Sequence, residues 1–327
     1  MAASAAQADV TEALMVFTDR QAVVRNRAEA RLGGSLDSLE SPLTVLASPA
    51  WRGIEADIWL ARRGNQSEVY KHYHTDLAHY VDPPAAIAAA KSAGDVGVGP
   101  RVLQSWEEDG LFAMEYLGNG WRAGGLHDSA NTVVREGIVA AKKALQAGPK
   151  LSRDANIFNE IRAAHAACTT HKANLPKNIT AFLNFADRAE QAMSRLEVER
   201  VPCHRDGNTA NLMIGPSNVV RLVDYDLAAN ADPYEDIGYH LMEVFDREPE
   251  ARDGFVEWTG FFEEALFQRA MVYGILDDLR WGLIALTMAA SSPRSTLEFA
   301  KYASWRMLRF EMTSQTSTAG DRLRRLA

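Results

Sequence analysis

The sequence predicts an α+β chain of two lobes, a small sheet-rich one over residues 1–118 and a large helical one over 119–327. Three observations carry this. Up to residue 118, strand-like runs surround one internal helix signature. After "GNGWRAGG" (118–125), long stretches take over with apolar residues three or four apart. Near residue 211 a strand-like island, "NLMI" followed by "VVRLVDYD", interrupts the helices. With 327 residues, 47% of them hydrophobic, the chain is long enough for two cores.

Taken in order, residues 9–33 read as a helix ended by Gly33-Gly34. "PLTVLAS" follows, then "ADIWLARRGNQSEVYKHYH" (56–74), which reads as two strands joined at Arg63-Gly64-Asn65. "PPAAIAAAKSAG" opens on Pro and closes on Gly, a helix signature. "PRVLQSWEEDGLFAMEYLG" is again strand, turn, strand. Segments 130–147, 153–173 and 178–198 are helical. In the last, Ile179, Phe182, Phe185, Ala189, Met193 and Leu196 form one apolar stripe. Beyond the strand island the chain reads as helical to its end.

Composition narrows the function. A net charge of -8 is a poor match to nucleic-acid binding, which depends on Lys and Arg contacts to phosphates. Two cysteines, Cys168 and Cys203, make no disulfide framework and suit a reducing cytoplasm. No stretch has the length and apolarity of a membrane span, and the N-terminus lacks the pattern of a secretory signal.

The island carries the chemistry. The turn Gly215–Asn218 folds "NLMI" onto "VVRLV", so Asn211 and Asp224 fall at the same end. Asp206 precedes them by a short loop, and the three point into one small volume. An amide oxygen and a carboxylate suit Mg²⁺, a hard cation that takes oxygen ligands. A further Asp beside them can accept a proton from an attacking hydroxyl. That is the layout of phosphoryl transfer. Each residue taken singly also has a plainer reading, since Asp and Asn favour turns.

The stretch "CHRDGNTANLMIGPSNVVRLVDYDLAANADPYEDIGYHLMEVF" (203–245) resembles the catalytic segment of the aminoglycoside phosphotransferase and choline/ethanolamine kinase superfamily. Three motifs carry the resemblance: His204/Asp206/Asn211, Val223-Asp224-Tyr225-Asp226 and Asp236-Ile237-Gly238. It implies a protein-kinase-like fold with ATP between the lobes, 1–118 being the nucleotide-binding lobe. It implies Asp206 as base, Asn211 and Asp224 on Mg²⁺, and His204, Asp226 and Asp236 as supports.

In the small lobe the resemblance assigns Lys71 to the phosphates and "LFAMEYLG" to the adenine hinge, with Glu115 and Leu117 offering backbone groups. Arg52 and Arg62 are the alternatives to Lys71. "RGIEAD" with its single Gly53 is the candidate phosphate loop, and Ala86 stands where the family's helix Glu belongs. Glu107 or Glu108 is available to replace it.

The segment "LRWGLIALTMAASSPRSTLEFAKYASWRMLRF" resembles the last two helices of choline and ethanolamine kinases. The match places Trp281 and Tyr302 at the walls of a substituted-ammonium site, with Glu243 near. Ile284 replaces a second Trp. Ordinary helix packing would also account for both aromatics. His165, Cys168 and His171 are spaced like metal ligands, but on a helix the two histidines lie about 120° apart, against a shared ion. The expectation is an ATP- and Mg²⁺-dependent kinase acting on a small amine-bearing alcohol. A sugar or aminoglycoside acceptor, or a non-catalytic binding protein, remains as the alternative.

Overall fold

The computed structural model describes residues 19–42, 54–294 and 297–326, without the side chains of 317 and 318. A helix runs through 19–32 (α1). Strands β1 (Ser38–Glu40), β2 (Ala56–Arg63), β3 (Gln66–Tyr73), β4 (Val102–Trp106) and β5 (Leu111–Glu115) form an antiparallel sheet in the order β1-β2-β3-β5-β4. The pairing of Arg63 with Gln66 closes the β2–β3 hairpin over the two residues Gly64 and Asn65.

Alternation along the strands gives this sheet two apolar faces. One face packs Trp59, Ala61, Tyr70 and Trp106 against Val24, Ala28 and Leu32 of α1. The other carries Ala56, Tyr73 and Phe112 against α2 (Pro83–Asp95). Asp82 caps α2 by accepting from the Ala85 amide, and Ala86, Ile87, Ala89 and Ala90 are buried. Being two residues apart, Lys71 and Tyr73 share the α2 face.

The chain leaves this sheet at Glu115. Residues Arg122–Ala123 (β6) pair instead with β8 (Leu212–Ile214), which pairs with β9 (Val220–Leu222). Around this sheet lie α3 (Thr132–Gln146), α4 (Ile157–Thr170), α5 (Ile179–Met193), α6 (Pro233–Val244), α7 (Glu248–Thr259), α8 (Glu264–Ser291), α9 (Phe299–Ser314) and α10 (Ser317–Arg324). Four short strands escaped the sequence reading, β1 and β6 among them; the other two, β7 (Val201–Cys203) and β10 (Ala229–Ala231), pair antiparallel just before and just after the hairpin. Ala-Asn-Ala has little strand propensity, so only the pairing marks it.

The long helix α8 is buried along most of its length. Its interior charges are paired: Arg269 with Asp232, Arg280 with Glu160 and Asp277, and Asp278 with Arg306 and Arg309 of α9. Such pairing is what lets charges stay out of water. Cys168 of α4 faces α8 and donates to the Leu283 carbonyl at 3.2 Å. Among the described residues no helix is long and apolar enough to cross a membrane.

Helices α6 and α8 meet backbone to backbone. A Cβ on Gly238 would lie 1.9 Å from the Ala270 carbonyl oxygen, and one on Gly274 would lie 2.6 Å from the Gly238 carbonyl oxygen. Glycine is obligatory at this crossing. Gly238→Ala should cost about 1–3 kcal/mol or more through overpacking. A urea midpoint equal to that of the parent would show that the helices separate without cost.

Candidate active site

Two polar loops flank the β8–β9 hairpin. The first, His204–Asn211, leaves β7; the second, Asp224–Asp226, leaves β9. Their conformation is held from α6. The Asp236 carboxylate, fully buried, accepts from the backbone amides of His204 (3.1 Å) and Arg205 (2.9 Å), from Lys142 (3.1 Å) and from Gln146 (3.2 Å). Lys142 of α3 also donates to the Asp206 carbonyl at 2.7 Å.

This clamp holds Arg205 at φ +63°, in the left-handed region that costs a non-glycine residue energy. The Arg205 side chain is buried against Glu160 and Glu235. Asp224 is held likewise at φ +71°. His204 ties the loops together: its Nε2 lies 3.0 Å from the Val223 carbonyl, and its ring stands edge-on to Tyr225 at 5.0 Å. The Val223 amide donates to the Asn211 carbonyl at 3.0 Å. Gly207 passes so near α6 that a Cβ would lie 2.4 Å from the Tyr239 carbonyl oxygen.

Asp206 is oriented by its own loop. Its Oδ1 accepts from the Asn208 amide at 2.7 Å and its Oδ2 from the Asn211 side-chain amide at 2.8 Å. With its nitrogen so engaged, Asn211 keeps its carbonyl oxygen as the atom for a cation. Across the cleft, Lys71 of β3 donates to Asp224 at 2.6 Å and to Asp226 at 2.5 Å. Tyr73 donates to the same Asp226 oxygen at 2.6 Å. The carboxylates of Glu55, Asp224 and Asp226 each bring one oxygen within 4.8 Å of the others.

Burial and charge set the protonation here. Burial would raise the Asp236 carboxyl, but Lys142, His204 and the Arg205 amide outweigh it and hold it below the usual range. Burial works against the Lys71 ammonium, yet Asp224 and Asp226 lift it well above its ordinary value. Asp224 falls because Lys71 overcomes burial. Asp226, buried beside Asp224, rises well above the carboxylate range.

Of the residues singled out from sequence, His204, Asp206, Asn211, Asp224, Asp226, Asp236 and Lys71 thus meet in one network. Gly53 and Arg52 lie outside the described residues. Glu115 ends β5, with its side chain on Arg101 and Arg221, and Leu117 follows in the link to β6. Ala86 is buried on α2. Glu107 pairs with Lys91 and Glu108 with Arg27, so neither reaches Lys71 in place of a helix acid. Sequence reading missed Lys142 and Glu55. A lone Lys in a helix and an acid in a presumed phosphate loop give no signal until the chain is folded.

Of the C-terminal candidates, Glu243 and Tyr302 lie near enough to Asp206 to feel its charge, as does Asp277. Glu243 accepts from the Thr209 amide, and burial raises its carboxyl against the pull of Arg306 and Arg309. Burial also raises Asp277, and both carboxyls feel the charge of Asp206. Trp281 is buried, edge-on to Tyr80 at 6.1 Å. Tyr302 carries the Arg306 guanidinium 5.3 Å over its ring, and Arg306 donates to its hydroxyl at 2.7 Å.

Asp236→Asn would strip the charge that four donors face. It should destabilise the fold by about 3–5 kcal/mol at neutral pH, the cost of breaking a buried pair from one side. The folded-state pKa is depressed, so this stability is present above the unfolded value of about 3.9 and is lost as pH falls below it. Urea midpoints from neutral to acid pH should show the gap between parent and variant closing. A gap independent of pH would remove Asp236's charge from the account.

The sequence model described as "Phosphotransferase enzyme family" matches residues 47–271. No curated protein sequence matches significantly. The structure is similar to a choline/ethanolamine kinase family protein from Mesorhizobium loti, at 19% identity and TM-score 0.76, covering 93% of this chain and 97% of that one. It is also similar to a choline kinase from Streptococcus pneumoniae, at 16% identity and TM-score 0.72, covering 89% and 96%. A spectinomycin phosphotransferase in complex with ADP and spectinomycin follows at 13% identity and TM-score 0.55, covering 89% and 93%. At these identities the likeness is one of fold, the kinase-like one.

Proposed function

The chain belongs to the phosphotransferase enzyme family, and we propose that it transfers the γ-phosphoryl group of ATP to the hydroxyl of a small, amine-bearing alcohol. The carrying observation is the pairing of Asp206 with Asn211 in a loop bonded to the strand end that holds Asp224. On this reading Asp206 accepts the proton of the attacking hydroxyl as its oxygen bonds to phosphorus. Asn208 and Asn211 aim the carboxylate, and Lys142 and Asp236 hold its loop. Lys71 meets the phosphates from the small lobe, and Glu115 and Leu117 edge the adenine. Asn211 and Asp224 would hold Mg²⁺, whose charge offsets that on the transferring phosphoryl group. A cytoplasmic setting suits this supply of ATP.

Two carboxyls, the half-buried Glu243 and the buried Asp277, support an acceptor with an ammonium group. Each is raised by burial and pressed by the charge of Asp206, so a cation between them relieves both. Trp281 and Tyr302 wall the same side. A sugar or aminoglycoside acceptor is the second reading. It is favoured by Arg306, which already covers one face of Tyr302.

Asp206→Asn keeps shape and removes the base. Turnover should fall on the order of 10²–10⁴-fold while nucleotide binding survives. Asn211→Ala and Asp224→Ala should weaken binding of Mg·ATP or abolish turnover. Near-normal turnover in Asp206→Asn sinks the assignment.

The acceptor is tested with choline, ethanolamine, simple sugars, sugar alcohols and an aminoglycoside, scored by phosphate transfer from ATP. An amine should be turned over best. Glu243→Gln and Trp281→Ala should raise its KM and leave that of ATP alone. If a neutral sugar wins and both variants behave as the parent, the amine reading fails and the kinase reading stands.

A further inference from the structure

Helix α2 offers Lys71 no acid. Its buried face is Ala86, Ile87, Ala89 and Ala90; Asp82 is spent on the N-cap, and Asp95 is exposed at the far end. A lysine in a cleft needs fixed acceptors, because its long stem otherwise leaves the ammonium unplaced. The acceptors it has come from the other lobe.

Asp224 and Asp226 are not equivalent partners. The Asp224 side chain is 27% exposed, and it sits beside Val223, which is bonded to both His204 and Asn211. The Asp226 side chain is 7% exposed and takes a second donor, the Tyr73 hydroxyl, on the oxygen that Lys71 uses. Lys71 and Tyr73 stand on one face of β3, so a single strand presents both donors to a single carboxylate. Glu55, the third acid, is held by Tyr80 at 3.2 Å.

We infer that Asp226 is the positioning residue for Lys71, taking the part of the absent helix acid, with Tyr73 fixing Asp226 and Asp224 left for the metal. This rests on the nucleotide-binding reading of the cleft. It places the partner of the phosphate-binding lysine on the large lobe, so the lysine is set by how the two lobes meet and not by the position of α2.

The test is ADP binding to the full chain by calorimetry, once in EDTA and once in excess Mg²⁺. Asp226→Asn should weaken binding on the order of tenfold in both, the size expected for losing a bond to a charged group. Lys71→Met should do the same, and the double variant should lose no more than either alone, because one interaction is removed twice. Asp226→Glu should restore part of the affinity. Asp224→Asn should weaken binding in Mg²⁺ only. Tyr73→Phe, the mildest change, should lose about fivefold in both conditions and decides the matter if Asp226→Asn does not fold. Additive losses in the double variant, a loss in Asp226→Asn confined to Mg²⁺, or parent-like binding by Tyr73→Phe would each overturn the inference. If the parent binds no ADP at all, the nucleotide reading falls and this one with it.

Discussion

The Asp236 carboxylate is the constraint on which the site depends. It is wholly buried and receives four hydrogen bonds, two from the backbone of the loop carrying Asp206 and two from α3. A buried charge with fewer donors would be expelled or protonated. With all four it becomes a fixed point from which the loop hangs. The left-handed conformation of Arg205 follows, since the consecutive amides of residues 204 and 205 must both turn toward one carboxylate. The aim of Asp206 follows from that, and the contact of His204 with Val223 extends the order to the second loop.

The opposite wall is electrostatic too. One ammonium meets two acidic side chains, with a third close by. Within the pair, burial lifts Asp226 and the lysine lowers Asp224, so one member is readier than the other to hold full charge. Two similar residues on one short loop thus acquire different chemistry from their surroundings alone.

The fold was legible where physics acts locally. The hairpin turn at Gly64-Asn65, the Pro that opens α2 and the apolar stripe of α5 are written in neighbouring residues, and the structure has each; Gly94, read as the end of α2, lies within its last turn. The spacing of His204, Asp206, Asn211 and Asp224 was readable because one short hairpin brings them together. What could not be read depends on distant partners. β10 is a strand only because β7 lies beside it. Lys142 reaches Asp236 across 94 positions, a contact with no trace in composition or period. Glu107 and Glu108 offered plausible charge near Lys71 and went instead to Lys91 and Arg27, since a surface acid takes the nearest surface cation.

The crossing of α6 and α8 has a consequence for substrate choice. It is made by main chain, at Gly238 and Gly274, while α8 carries Asp277 and Trp281, proposed above for the acceptor side, one to two turns farther along. The crossing that sets α6, and with it Asp236, against α8 is therefore made without those side chains. On the proposed reading, the walls of the acceptor pocket can be recarved, residue by residue, on a beam whose joint to α6 stays the same, so selectivity can drift while the helix crossing is inherited intact.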